Sequence, residues 1–176
     1  MSNRKKYILT GVILGSIAAV AASLIALTNF VTEQRIVQNE ENKLNDGIKE
    51  IFGKNIKVIG VEDATLESKY KYLVQYFEVK SSKNEFLGFA FKSEGSNMYG
   101  KISLISGFDK ATQGFKGLSL IKNEQTYAST LVENYIEPLN SNEKGIDDVS
   151  CGATYGAKLV RDMVNEASKL ANELWK

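Results

Sequence analysis

The residues best suited to chemistry in this chain lie together at Asp148-Val149-Ser150-Cys151-Gly152-Ala153-Thr154, directly before a strongly amphipathic stretch. A threonine hydroxyl is a weak nucleophile and needs activation and access. The Gly152-Ala153 pair leaves room for another molecule's backbone beside it. A phosphate placed there would meet unpaired N–H groups and the positive end of a helix dipole. The plainer reading is a loop-to-helix junction in which Thr154 caps the helix.

Composition removes most competing chemistries. Among 176 residues there is no histidine, a single cysteine (Cys151) and a single proline (Pro138). Histidine-based metal sites, histidine general bases and Ser-His-Asp triads are therefore excluded, as are an intrachain disulfide and a Cys-x-x-Cys centre. A net charge of +1 gives no basic surplus to suggest nucleic acid. What remains is carboxylates, hydroxyls, tyrosines, lysines, one thiol, or a borrowed cofactor.

The 148–154 segment resembles the flavinylation motif of the FMN-binding domain family. That family includes the G subunit of Rnf-type electron-transport complexes and the C subunit of the sodium-translocating NADH:quinone reductase. The resemblance implies that Thr154 carries FMN through a phosphoester bond made by a separate flavin transferase. It also implies that Asp148 contacts the transferase or its metal ion (the plainer reading is a solvated loop acid beside Asp147), that Cys151 lines the pocket and Gly152 and Ala153 give steric clearance, and that electrons pass between a membrane donor and another carrier or extracellular acceptor. A linkage through phosphate leaves the isoalloxazine ring, where the redox chemistry resides, unmodified.

Outside the motif the likeness is thinner. Asn97-Met98-Tyr99-Gly100-Lys101-Ile102 matches a family segment at Gly100 and Ile102. Gln125-Thr126-Tyr127-Ala128-Ser129-Thr130 keeps only Thr126 of a Glu-Thr-Pro-Gly-x-Gly run. Cys151 stands where Ser or Thr is usual, Ser150 takes a usually apolar position, and the proline and glycines expected near 127–130 are missing. A flavin-free surface binding module on the same fold is the alternative reading.

Several elements must position Thr154. Residues 8–31 carry no charge and are long enough to cross a hydrocarbon core as a helix. Arg4, Lys5 and Lys6 precede them, so the positive-inside rule keeps residues 1–7 in the cytoplasm and the C-terminal domain outside. Ala19-Val20-Ala21 offers a signal-peptide cleavage site, but the apolar run continues through Leu24–Leu27 and favours an uncleaved anchor. Residues 32–53 read as a helical stalk or lid, and residues 54–176 as the FMN-binding domain.

Within that domain the expected class is α+β, a curved antiparallel sheet flanked by helices. Strands are expected at Ile56–Val61, Tyr70–Val79, Glu85–Phe91, Lys101–Ser106 and Lys116–Ile121, with Ser81–Asn84 and residues 93–97 as turns. Tyr70, Tyr72, Val74 and Tyr76 should share one face. Residues 125–137 and 155–175 should be helical. The latter carries an apolar stripe from Leu159 to Leu174.

Other candidates have competing structural readings. Thr126 is a phosphate or ring contact, or the N-cap of the 125–137 helix. Tyr99, Tyr127 and Tyr155 are stacking partners for a flavin, or ordinary structural aromatics. Lys158 either neutralises a phosphate or is solvated. Cys151 lines a pocket, or is a small buried residue, the commoner role of a free cysteine.

Overall fold

The computed structural model describes the backbone of residues 3–176 and the side chains of these apart from 3–6, 31, 33, 34, 37 and 67. Met1 and Ser2, and the side chains of Arg4, Lys5 and Lys6, lie outside the described residues. The chain divides into two compact units, Met1–Asn42 and Lys43–Lys176. Helix α1 spans Asn3–Phe52. Its Tyr7–Phe30 stretch has a mean hydropathy of 2.3 and is long and apolar enough to cross a membrane.

In the second unit five strands follow one another as an antiparallel meander, with spatial order equal to chain order. They are β1 (Ile56–Val61), β2 (Leu73–Ser81), β3 (Phe86–Asn97), β4 (Gly100–Asp109) and β5 (Gly114–Asn123). A short helix α2 (Leu66–Lys69) links β1 to β2. After β5 come α3 (Ala128–Leu131), a π-helical turn (Val132–Ile136) and α4 (Glu137–Asn140), then the long α5 (Thr154–Leu174). The expected α+β class, an antiparallel sheet flanked by helices, is what the chain forms.

Alternation along the strands gives each sheet face its own core. On one face Phe89, Phe91, Ile102, Leu104, Phe108 and Leu118 pack under Leu159, Val160, Met163, Val164, Ala167 and Leu170 of α5. On the other, Phe77, Val79, Ala90, Ile105 and Ile121 pack with Ile48 and with Leu44, Ile51 and Phe52, all from the end of α1. That approach is close. A Cβ on Gly107 would lie 2.5 Å from Ile51 Cγ2 and 2.8 Å from Phe52 Cε2.

Three expectations need correction. Residues 93–97 are not a turn; β3 runs to Asn97. Ser93 is fully buried there, and a Cβ on Gly95 would come within 2.6 Å of Met163 Cε. The small residues that suggest a turn are instead what lets α5 lie close to the sheet. Val74 does not share the face of its tyrosines. A register shift between Leu73 and Gln75 turns it outward, 41% exposed.

The third correction concerns the helix after β5, which runs on past 137 to Asn140. Pro138 has no N–H for the carbonyl four residues back, and its ring crowds that carbonyl. The chain widens to a π turn just before it, where the Glu137 N–H bonds Val132 O.

Candidate functional site

Thr154 sits at the first helical position of α5, not at the cap. The capping position is Ala153, and no side chain caps the helix. The first hydrogen bond back into the helix runs from the Ala157 N–H to Ala153 O at 3.0 Å. The N–H groups of Thr154, Tyr155 and Gly156 therefore have no intrahelical acceptor. No acidic residue lies in the first turn of α5, so nothing there opposes an anion at the positive end of the dipole. Among the described residues, no hydrogen bond engages the Thr154 hydroxyl.

Around Thr154 is a cavity of about 260 Å³ lined by Gly152, Ala153, Thr154, Tyr155 and Gly156 from the loop and α5, Gln125, Tyr127 and Leu131 from the segment after β5, and Tyr99 from the β3–β4 turn. The three candidate stacking residues, far apart in sequence, are thus brought together. Ring centroids lie 5.4 Å apart for Tyr99 and Tyr155, and 6.2 Å for Tyr99 and Tyr127. Tyr127 and Tyr155 are each more than half exposed, so their ring faces are open to a planar partner. Lys158 Nζ lies 6.0 Å from the Tyr155 ring centroid, at the rim.

Gly152 has φ +81, a conformation that L side chains rarely adopt. Gly100 (φ +135) and Thr126 do not line the cavity. Gly100 lets the β3–β4 turn press against the chain after β5: a Cβ there would lie 2.1 Å from Glu124 O. The Gly100 carbonyl accepts a hydrogen bond from Gln125 Nε2. Thr126 is not a helix cap either. That position is Tyr127, and the Thr126 hydroxyl donates to Tyr99 O at 3.3 Å.

Asp148 and Cys151 do not line this cavity; they border a separate open groove of about 520 Å³ with Glu133, Asn134, Pro138, Glu143, Lys144 and Ser150, and Cys151 itself is buried. Here sequence reasoning missed the residue that organises the loop. Lys144 Nζ donates to Ser150 O at 2.8 Å and to Asn134 O at 3.2 Å, and lies 3.8 Å from the Asp148 carboxylate. The Asn134 carbonyl is the one that Pro138 cannot serve, so the ammonium supplies the missing donor. Asn134 Nδ2 in turn donates to Cys151 O at 3.2 Å. The fully buried Tyr135 gives its hydroxyl to Ile146 O, and burial pushes its phenol well above the usual tyrosine range. Two local hints were present: the spacing of Lys144 and Asp148, and the proline four residues after Asn134.

Among the described residues no cluster of three or more acidic or cysteine side chains could hold a metal ion. The arrangement suits a different ligand: a phosphate at Thr154 and the N-terminus of α5, followed by a planar aromatic group against the tyrosines. The cavity is slightly smaller than ordinary ligand pockets of about 300–1,000 Å³. It would seat part of an isoalloxazine ring and leave the rest open.

Residues 1–51 match the family model of the RnfG N-terminal region. The match covers most of α1 and ends before β1, so it does not reach Thr154. It supports the resemblance to the G subunit of Rnf-type complexes, an electron-transport subunit. With the Tyr7–Phe30 helix it makes this a membrane-anchored protein. No curated protein matches the chain.

Proposed function

We propose that this chain is an extracytoplasmic flavoprotein subunit that carries FMN as a phosphoester on Thr154 and relays electrons between a membrane donor and a second carrier or an extracellular acceptor. The observation that carries the reading is the Thr154 hydroxyl. It ends a flavinylation-like motif, serves no cap, and opens into a cavity with three tyrosines. The α5 N-terminus and the N–H groups of residues 154–156 would hold the phosphate. Tyr99 and Tyr155 would lie against the ring. When bound, FMN supplies the electron-accepting and electron-donating chemistry, and the protein supplies position and surroundings.

The shallowness of the cavity fits a covalent linkage. A site that covers only part of a ring binds it weakly, and a freely dissociating cofactor outside the cytoplasm is lost to the medium. A short tether holds the ring at an effective concentration on the order of millimolar or higher, which compensates for limited burial. A flavin transferase is the implied maturation partner, and other subunits of an Rnf-type complex are the implied redox partners. Asp148, exposed at the second groove beside Lys144, would be a contact for the transferase.

The test is to make the full chain together with a flavin transferase of the same organism and measure intact mass. We expect a gain of FMN less one water, mapped to the peptide containing Thr154. A colourless chain at its unmodified mass would defeat the reading and favour the flavin-free binding module.

A further inference from the structure

Gln125 lines the same cavity, yet it is only 7% exposed. Its backbone N–H donates to Asn123 Oδ1 at 3.2 Å, and its Nε2 to the Gly100 carbonyl. A carbonyl can only accept, so this second bond fixes which way the amide is turned. The other end, Oε1, then points toward Gly156, 3.4 Å from where a Cβ on that glycine would stand. No described residue donates to it. The side chain is thus nine-tenths buried and held at one end, while its acceptor end is left open for a donor. Here it faces the cavity.

We infer that Gln125 Oε1 accepts a hydrogen bond from an imide N–H on a planar ligand, and that for the FMN proposed above this is the ring N3–H. The inference rests on that proposal. Isoalloxazine is amphipathic: its pyrimidine edge carries the N–H and two carbonyls, and its dimethylbenzene edge is apolar. The open acceptor on the cavity wall draws the pyrimidine edge inward. The exposed rings of Tyr127 and Tyr155 then flank the outer part, and the dimethylbenzene edge faces the opening, from which electrons enter and leave. N3–H is present in both the oxidised and the reduced ring, so the contact holds the ring in place across turnover. Gln125 is thus a positioning residue, kept in register by Gly100, whose lack of a Cβ allows the close approach.

The experiment loads the full chain, in detergent, with FMN labelled with ¹⁵N and follows exchange of the ring N3–H with water by NMR. Wild type should protect this proton roughly fivefold to tenfold relative to free FMN, as expected of a hydrogen bond worth about 1–1.5 kcal/mol. Gln125→Met, similar in length and volume, should lose the protection while keeping the covalent mass. Gln125→Asn, which withdraws the oxygen by one methylene, should also lose it. An N3–H that exchanges in the loaded wild type as fast as in free FMN overturns the inference, even if neither variant folds. So does protection that survives in a folded Gln125→Met. A loaded chain without protection sinks this inference alone, whereas a wild type that never gains FMN sinks the attachment as well.

Discussion

At one end of the 144–156 segment a lysine holds two backbone carbonyls and a carboxylate; at the other, a hydroxyl and three helix N–H groups face a cavity with no partner among the described residues. Lys144, Asn134 and Tyr135 use their polar groups to fasten the loop to the π turn. Thr154, the start of α5 and Gln125 Oε1 leave theirs open. A satisfied buried network fixes a shape. Unsatisfied groups gathered at one place mark where something else is to bind. The difference separates residues that build the site from residues that use it, and substitutions should sort accordingly.

The largest effect belongs to the open end and should leave stability untouched. Thr154→Val keeps the branched shape and removes only the hydroxyl. We expect complete loss of the FMN adduct in the mass spectrum, with thermal stability within about 0.5 kcal/mol of wild type. A drop of 1–2 kcal/mol without any effect on loading would mean that the hydroxyl is a cap after all.

The wired end should respond the opposite way. Lys144→Met removes the donor to Asn134 O and Ser150 O and should cost about 2 kcal/mol in denaturant unfolding. Loading should fall only in part, because the loop loosens but Thr154 remains. If Lys144→Met instead loads normally at full stability, the fastening role assigned to this lysine is wrong.

Tyr135→Phe removes the donor to Ile146 O and should cost about 1–3 kcal/mol near neutral pH. It also carries a pH signature. Burial raises the folded-state phenol above its ordinary value of 10.0. Its contribution is therefore complete below about pH 10 and declines as pH climbs above that, when the unfolded chain ionises first. The phenylalanine variant should show a shallower loss of stability between neutral and strongly alkaline pH than wild type; parallel curves would refute the assignment.

The smallest effect is expected at Cys151. It is buried in the core that underlies the loop, and Ser or Thr is usual at this place in the resembled motif. Cys151→Ser should keep the adduct and lose about 1 kcal/mol or less. Loss of attachment in a folded variant would give the thiol a specific role.

How far the sequence foretold this arrangement depends on distance along the chain. Thr154 was legible because its motif is contiguous and the stripe from Leu159 onward announces the helix that follows. The five strands were legible as apolar runs between turn residues, one of them with period-two alternation that a register shift breaks at Val74. Tyr99, Tyr127 and Tyr155 were legible as candidates but not as a cluster, because they come from a hairpin turn, a loop and a helix that meet only in three dimensions. Gln125 was passed over because its meaning depends on the Gly100 carbonyl across a turn. Ser93 and Gly95 misled because small polar residues favour turns, yet the same smallness is what a strand needs under a closely packed helix. The helix after β5 was read only as far as 137; the chain absorbs Pro138 by widening a turn and runs on to Asn140.

The last turns of α1 bear on how the extramembrane part can be released. Ile48 is fully buried against the sheet, and Ile51 and Phe52 lie over Gly107 and Gly88. A cut at the apparent boundary near residue 54, by a protease or by a cloner seeking a soluble fragment, would strip these side chains away and bare Phe77, Ala90, Ile105 and Ile121. Burying Ile48 alone is worth about 1.5–3 kcal/mol, a large part of the total stability of a small domain. A soluble fragment must begin no later than Lys43, and an attempt that begins at Ile56 should yield a sticky, poorly soluble product.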